Sequence, residues 1–364
     1  MGRNTSIQWC HDTVNPVMGC DGCELYPTSG TIRQKLADIL CKNGRMNDAL
    51  RDVIAMLTRN GPQAVRRDIA QIADGLARAA VPSGAPHEVA ELASQLSSEV
   101  IKLYVCYAGT LHRFVNANGR AKGYAYPFEN PTTFPGRMMV AARGPEPTQS
   151  DIATKPWLHA FKKLIFISDM GDAFSRGISF EYLRDEVIAA VASPAGLRHV
   201  WLWLTKRPER MAKFSAWLSA RSIQWPENLV AMTSITSSAT VGRVAQLQRV
   251  EARYRALSVE PLWGEVHLPL EGIDWVIVGG QSGPCSKPFH VEWAERIMND
   301  CRADGSAFFL KQLGRRPFRS GVELQLRDEH GGDWDEWPEV LRIRELPAAW
   351  RMPSPIPARI PAVA

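Results

Sequence analysis

Apolar positions recur with two different rhythms along the 364 residues. Between Thr31 and Tyr104 they fall at helical spacing in four one-sided stripes: Ile32, Leu36, Ile39 and Leu40; Leu50, Val53, Ile54 and Leu57; Val65, Ile69, Ile72 and Leu76; and Val89, Leu92, Leu96, Val100 and Leu103. Each stripe marks a helix that buries one face. Asn43-Gly44, Asn60-Gly61-Pro62 and Pro82-Ser83-Gly84 interrupt them with residues that end helices and make turns. An inserted all-helical subdomain is predicted over 28–104.

From Lys162 the rhythm changes to short, wholly apolar runs: Leu164–Ser168, Val200–Thr205, Leu229–Thr233, Tyr254–Val259, Trp275–Gly279 and Ala307–Lys311. Amphipathic stretches at about Phe180–Ala192, Pro208–Ala220, Ala239–Val250 and Val291–Asp304 separate them. Strands that are apolar throughout and alternate with helices imply a parallel sheet covered on both sides. The fold class is therefore α/β. The expected form is a partial or full (β/α) barrel over 105–320, with a doubly wound open sheet as the competing architecture. Residues 1–27 form an N-terminal segment of the barrel. After Ser320 the pattern weakens, and Pro353, Pro355, Pro357 and Pro361 mark 321–364 as a Pro-rich extension with little regular structure.

Composition narrows the function classes. A hydrophobic fraction of 45% is that of a globular protein. The sequence holds no run of about 18 uncharged apolar residues and no basic head before an apolar stretch, so neither membrane spanning nor secretion is expected. A cytoplasmic location follows, and with it the reading of the seven cysteines as thiols or metal ligands rather than disulfides. The net charge of +5 permits a nucleic-acid partner without requiring one.

In parallel barrels the working residues gather where strands end. Here the runs end in Ser168-Asp169-Met170-Gly171-Asp172, Thr205-Lys206-Arg207-Pro208, Thr233-Ser234, Glu260-Pro261, Gly279-Gly280-Gln281-Ser282-Gly283 and Lys311-Gln312. Together they suit a pocket for a zwitterionic, nucleotide-like ligand, although Asp172 also suits a helix cap and Gly279-Gly280 a plain turn. The glycine turn is no Walker loop, because no Gly-Lys-Ser or Gly-Lys-Thr follows.

The cysteines carry the sharpest chemistry. Cys20 and Cys23 in Gly19-Cys20-Asp21-Gly22-Cys23, together with Cys106, make three thiolates, enough to hold a four-iron cluster with one iron left open. Cys10, Cys41, Cys285 and Cys301 are available as a fourth ligand, and Cys20 and Cys23 also fit a zinc knuckle completed by Cys10 or His11. Cys41 and Cys301 sit in helical patterns and read as small buried hydrophobes.

Trp9, Asn15-Pro16, Gly19-Cys20, Cys23 and Cys106-Tyr107-Ala108 form an ordered series with several later blocks. These are Asp172-Ala173-Phe174, Leu204-Thr205-Lys206-Arg207-Pro208-Glu209-Arg210-Met211, Ser258-Val259-Glu260-Pro261-Leu262, Val276-Ile277-Val278-Gly279-Gly280 and Phe308-Phe309-Leu310-Lys311-Gln312. In this series the chain resembles a phage- and plasmid-associated branch of the radical SAM superfamily, from Ile7 to about Gly314 apart from the inserted helices. Two departures stand out. The family keeps its three cysteines close together, whereas here the helical insertion separates Cys23 from Cys106. Relatives commonly show Gly-Gly-Glu-Ser-Gly where this chain has Gln281, which keeps hydrogen-bonding capacity and loses a charge.

The resemblance implies a radical SAM-type barrel carrying a [4Fe-4S] cluster on Cys20, Cys23 and Cys106, and S-adenosyl-L-methionine on its open iron. One electron, from a donor such as flavodoxin or ferredoxin, would split a carbon–sulfur bond of the cofactor, and the resulting 5'-deoxyadenosyl radical would take a hydrogen atom from the substrate. It also implies Asp172, Thr205, Ser234, Gly279 and Gly280 near the cofactor, with Glu260, Lys206 and Lys311 facing the substrate or steering protons.

Phage relatives of this branch resemble enzymes of thymidine hypermodification, so the expected partner is DNA bearing a modified thymidine, in the host cytoplasm if the chain is phage-encoded. The expected reaction isomerises a glycine adduct from a nitrogen to an alpha-carbon linkage. Basic clusters at Arg113/Arg120/Lys122, Lys206/Arg207/Arg210 and Arg315/Arg316/Arg319, with Tyr124, Tyr126 and Phe128 for stacking, fit such a partner. The alternatives are radical repair of a damaged base, radical modification of RNA, and a non-catalytic zinc-stabilised nucleic-acid-binding protein.

Overall fold

The computed structural model describes residues 5–81, 86–111, 128–283 and 286–352. The strands, in chain order, are β1 (Asp12–Val14), β2 (Val17–Met18), β3 (Thr132–Thr133), β4 (Leu164–Ile167), β5 (Val200–Thr205), β6 (Leu229–Ser234), β7 (Arg255–Val259), β8 (Trp275–Gly279), β9 (Phe289–His290) and β10 (Ala307–Gln312). Two compact units result. One comprises Met1–Val14, Gly136–Ile167 and Phe180–Ala364; the other comprises Asn15–Pro135 and Ser168–Ser179.

The first unit is built on a seven-stranded sheet in the order β1-β4-β5-β6-β7-β8-β10, with every neighbouring pair parallel. The order follows the sequence without reversal, so there is no switch point of the kind a doubly wound sheet has. The sheet curls into a half-barrel. Among the described residues β1 and β10 are its two edges, so the barrel is partial rather than full. β4, β6 and β8 are buried along their whole length, as continuous apolar runs require.

The helical stretches lie where their periodicity puts them, at Phe180–Ala192, Pro208–Ser219 and Val291–Asp304. The first is irregular, opening a π-helical stretch over Arg184–Ile188, and the expected Ala239–Val250 helix is confined to Arg243–Gln248 after a turn at Ser238–Thr240. The segment after Ser320 is more ordered than its pattern implies. Its 3-10 turns bury Trp337, Leu341 and Trp350, and Trp350 stacks edge-on against Trp275 at 5.4 Å. Turns of three residues are too short to leave a period in sequence. The four prolines of the predicted tail lie outside the described residues.

The second unit contains the four predicted helices, α1 (Ser29–Lys42), α2 (Asp48–Leu57), α3 (Pro62–Ala80) and α4 (Pro86–Ile101). Thr28 and Asn47 cap α1 and α2 by accepting from Thr31 N and Leu50 N, and Pro62 opens α3. The stripes meet in one core holding Ile32, Leu36, Leu40, Ile54, Val65, Leu76, Leu96 and Val100. Gly61 turns the chain at φ 90° and Gly44 at φ 64°, in the left-handed region where a β-carbon is penalised. The Pro82-Ser83-Gly84 break lies outside the described residues. Among the described residues no helix is long and apolar enough to cross a membrane.

The amino edge of the sheet is knitted by buried polar groups that the sequence reading did not anticipate. Lys163 pairs with Asp12 at 2.7 Å, and Lys155 donates to the carbonyls of Thr5, Ile7 and Cys10. His11 Nδ1 accepts from Leu164 N at 3.0 Å, which places the ring proton on Nε2. Burial, reinforced by Lys155 and Lys163 and opposed by Asp12 and Asp151, lowers the His11 pKa from 6.5 to about 4. The unfolded chain therefore binds the extra proton between those values, and the neutral ring's contribution is fully present above pH 6.5 and lost as pH falls toward 4. The amount is on the order of 3 kcal/mol. We predict that His11→Gln flattens this part of the acid limb, read from urea unfolding midpoints between pH 7 and 4.5. An acid limb identical to that of the parent chain would show that His11 does not titrate this way.

Candidate functional site

Cys20, Cys23 and Cys106 all fall in the helical unit. Gly19, at φ 88°, passes so close to Phe128 that a β-carbon would lie 2.5 Å from its carbonyl oxygen. Gly171 approaches Gly19 from the other side, where a β-carbon would lie 2.6 Å from Gly19 O. The two glycines let Gly19 N donate to Met170 O and Asp172 N donate to Gly19 O, at 3.1 and 3.2 Å. Cys20 is thereby fixed, with its own N donating to Phe128 O at 2.8 Å.

Cys23 and Tyr26 bond each other's backbone in both directions, closing a tight turn. The carbonyl of Leu25, inside that turn, accepts from Val105 N at 3.0 Å and Cys106 N at 2.7 Å. The third cysteine therefore returns to the loop of the second although four helices intervene in sequence. Each of these two sulfurs also accepts a backbone amide: Cys23 Sγ from Leu25 N at 3.4 Å, Cys106 Sγ from Gly109 N at 3.5 Å. Amides aimed at sulfur are one means by which a protein tunes an iron–sulfur centre.

The flanking residues serve this geometry. Asn15 donates to Asp169 and accepts from Met170 N, and Tyr107 OH donates to Asp169 O at 2.8 Å. Tyr26 packs against Gly109, where a β-carbon would meet the ring at 2.5 Å. Burial and the neighbouring Glu129, at 3.0 Å, hold the Tyr26 phenol protonated by raising its pKa. Asp172 spends one oxygen on Phe174 N at 2.9 Å, a local turn bond. Phe128, expected to be open for stacking, is instead buried and packs edge-on against Tyr26 at 5.0 Å.

Among the described residues no three His, Cys, Asp or Glu side chains are drawn together as they would be around a single bound metal ion. Cys10 is fully buried beside Trp9, Leu158 and Phe166 in the core of the sheet unit. Cys301 is likewise buried, and burial pushes its thiol up to about 12. Cys41, expected to be buried, is exposed on α1. Cys285 and the residues Arg113, Arg120, Lys122, Tyr124 and Tyr126 lie outside the described residues.

The remaining predicted residues line the carboxyl edge of the sheet in the other unit. Glu260 follows β7 and Lys311 is the penultimate residue of β10, and they pair at 2.9 Å with little exposure. β8 runs between those strands. Gly279, at its end, leaves the space the carboxylate occupies, since a β-carbon there would lie 2.5 Å from Glu260 Oε1. Gly280 is required by the backbone of Leu313, 2.1 Å from where its β-carbon would stand. Both glycines thus have a packing reason to be there. Thr205 Oγ1 accepts from Arg207 N at 2.9 Å and its carbonyl accepts from Thr233 Oγ1. Ser234 is buried at the end of β6, and Lys206 is half-buried directly after β5. Arg315, Arg316 and Arg319 each face a glutamate, respectively Glu329, Glu323 and Glu295, so they are no bare cationic patch.

Residues 103–338 match a family model described as a protein of unknown function (DUF5131). The chain belongs to the DUF5131 family. Neither a curated protein nor a solved structure matches it. The DUF5131 match takes in Cys106, Asp172 and every strand-end residue named above, and begins after Cys20 and Cys23.

The sequence reading missed Trp263, whose Nε1 donates to Gln281 Oε1 at 2.8 Å beside this edge. An indole in a loop carries no periodic signal. For the Glu260–Gly279 contact we predict that Gly279→Ala costs about 1–3 kcal/mol of stability, the usual penalty of overpacking. In a Glu260→Ala background the same change should cost clearly less, measured by denaturant unfolding. Equal costs in both backgrounds would mean that Gly279 does not make room for the carboxylate.

Proposed function

We propose that this chain is a radical SAM enzyme whose cluster ligands are Cys20, Cys23 and Cys106 and whose substrate is a modified thymidine in DNA. What supports the reading most is the pair of hydrogen bonds from Val105 N and Cys106 N to Leu25 O, which bring the third thiol to the turn that holds the second. Three thiols, two of them receiving backbone amides, suit a [4Fe-4S] cluster with one iron left for S-adenosyl-L-methionine. When bound, that pair would supply the electron transfer and the hydrogen-abstracting species. The chain's own residues would bind, orient and exclude water.

On this reading Asp172, Thr205, Ser234, Gly279 and Gly280 serve the cofactor, and the Glu260–Lys311 pair, with Lys206, faces the substrate. An ammonium and a carboxylate held at 2.9 Å can pass a proton or orient an amino-acid adduct without net charge. The adduct loses a hydrogen atom at its alpha carbon, exchanges a bond to nitrogen for one to carbon, and regains a hydrogen, so the product is an isomer of equal mass. A ferredoxin or flavodoxin would deliver the electron.

Anaerobically purified protein should be brown and carry about four irons per chain. Cys20→Ala, Cys23→Ala and Cys106→Ala should each abolish reductive cleavage of S-adenosyl-L-methionine, while Cys41→Ala, on the exposed face of α1, leaves it intact. Incubation with glycine-modified thymidine DNA should give a nucleoside of unchanged mass and altered retention. Colourless protein with stoichiometric zinc, or normal cleavage by the Cys106 variant, would refute the assignment.

A further inference from the structure

The carboxamide of Gln281 is oriented by its neighbours and leaves its donors unused. Its Oε1 accepts from Trp263 Nε1 at 2.8 Å and from Lys287 N at 3.5 Å. Both partners are N–H groups, so that atom must be the oxygen and the amide cannot be flipped. The Nε2 group is left with two N–H donors and no partner among the described residues, although only 8% of the residue is exposed. Nε2 itself is not sealed from solvent. A donor held in place and left without a protein partner is available to a ligand acceptor.

The group is held rigidly. Gln281 O accepts from Arg315 N at 3.0 Å, and Gly314, at φ 80°, lies so close that a β-carbon would fall 2.8 Å from that carbonyl. Trp263 is held in turn, its N donating to Thr236 O at 2.8 Å. The ammonium of Lys287 rests 3.9 Å from the centroid of the Trp263 ring.

We propose that Gln281 Nε2 donates to a carbonyl oxygen of the target nucleobase, with Trp263 as the residue that aims it. A charged acceptor is ordinarily met by Arg or Lys; a neutral, fixed amide suits a neutral carbonyl. The choice of thymine as the base rests on the function proposed above.

The test uses the full chain, reconstituted anaerobically, and fluorescence anisotropy with two labelled single-stranded probes: oligothymidylate and an abasic oligonucleotide of the same length. The parent chain should prefer the thymine probe at least about tenfold, the scale of one good hydrogen bond. Gln281→Glu, which keeps the bond to Trp263 and removes the donors, should lower that ratio to near one, whatever its effect on both affinities together. Trp263→Phe, which releases the carboxamide, should lower it in part. A parent chain without preference, or a Gln281→Glu chain that keeps it, overturns the proposal. Because iron content and cofactor cleavage are read separately, failure here is distinguishable from failure of the cluster assignment.

Discussion

A single carbonyl oxygen, that of Leu25, anchors the cysteine site. By accepting from both Val105 N and Cys106 N it brings the end of a four-helix insertion back to the turn where the insertion began. Closing so long a loop has an entropic cost that grows slowly with length, and the helical core packed between its ends offsets it. Ile32, Val65, Leu76 and Leu96 belong to the same core as Cys20 and Tyr26, with Cys106 packed against it. The insertion therefore supports the cysteine loops mechanically, so its apolar stripes bear on the site as well as on the bundle.

Close backbone approach is the second constraint. Gly19, Gly171 and Gly109 in the helical unit, and Gly279, Gly280 and Gly314 in the sheet unit, stand where a β-carbon would fall within 3 Å of another atom. A glycine followed by a functional residue reads in sequence as a ligand-cradling turn. Here the contacts give a more local reason: Gly279 clears space for Glu260 and Gly280 for the Leu313 backbone. That does not remove a ligand from the edge, but it moves the argument for one onto side chains, chiefly the Glu260–Lys311 pair and Gln281.

Much of the architecture was legible because its signals are long or repeated. Six parallel strands and four insertion helices declare themselves by apolar runs and stripes, and the structure moves the strand ends by no more than one residue. β1 escaped notice because three residues, Asp12–Val14, carry no period. Cys41 was misjudged because a residue beside a stripe can lie just past its edge, and Phe128 because exposure of a ring in a polar segment cannot be read from its neighbours. The route that brings the loop of Cys106 back to that of Cys23 was not legible, because it depends on a backbone carbonyl, which every residue possesses.

Hydrogen-bond accounting distinguishes the two edges of the sheet. At the amino edge the buried cations are consumed by the chain itself: Lys155 spends three donors on carbonyls of residues 5–10, and Lys163 is divided between Asp12 and Pro145 O. Such groups lock the first strand to the fourth. At the carboxyl edge the arrangement is different. Gln281 is immobilised by groups that occupy only its oxygen, leaving two donors directed away from every described partner. A donor fixed in this way can meet a ligand acceptor without first reorganising.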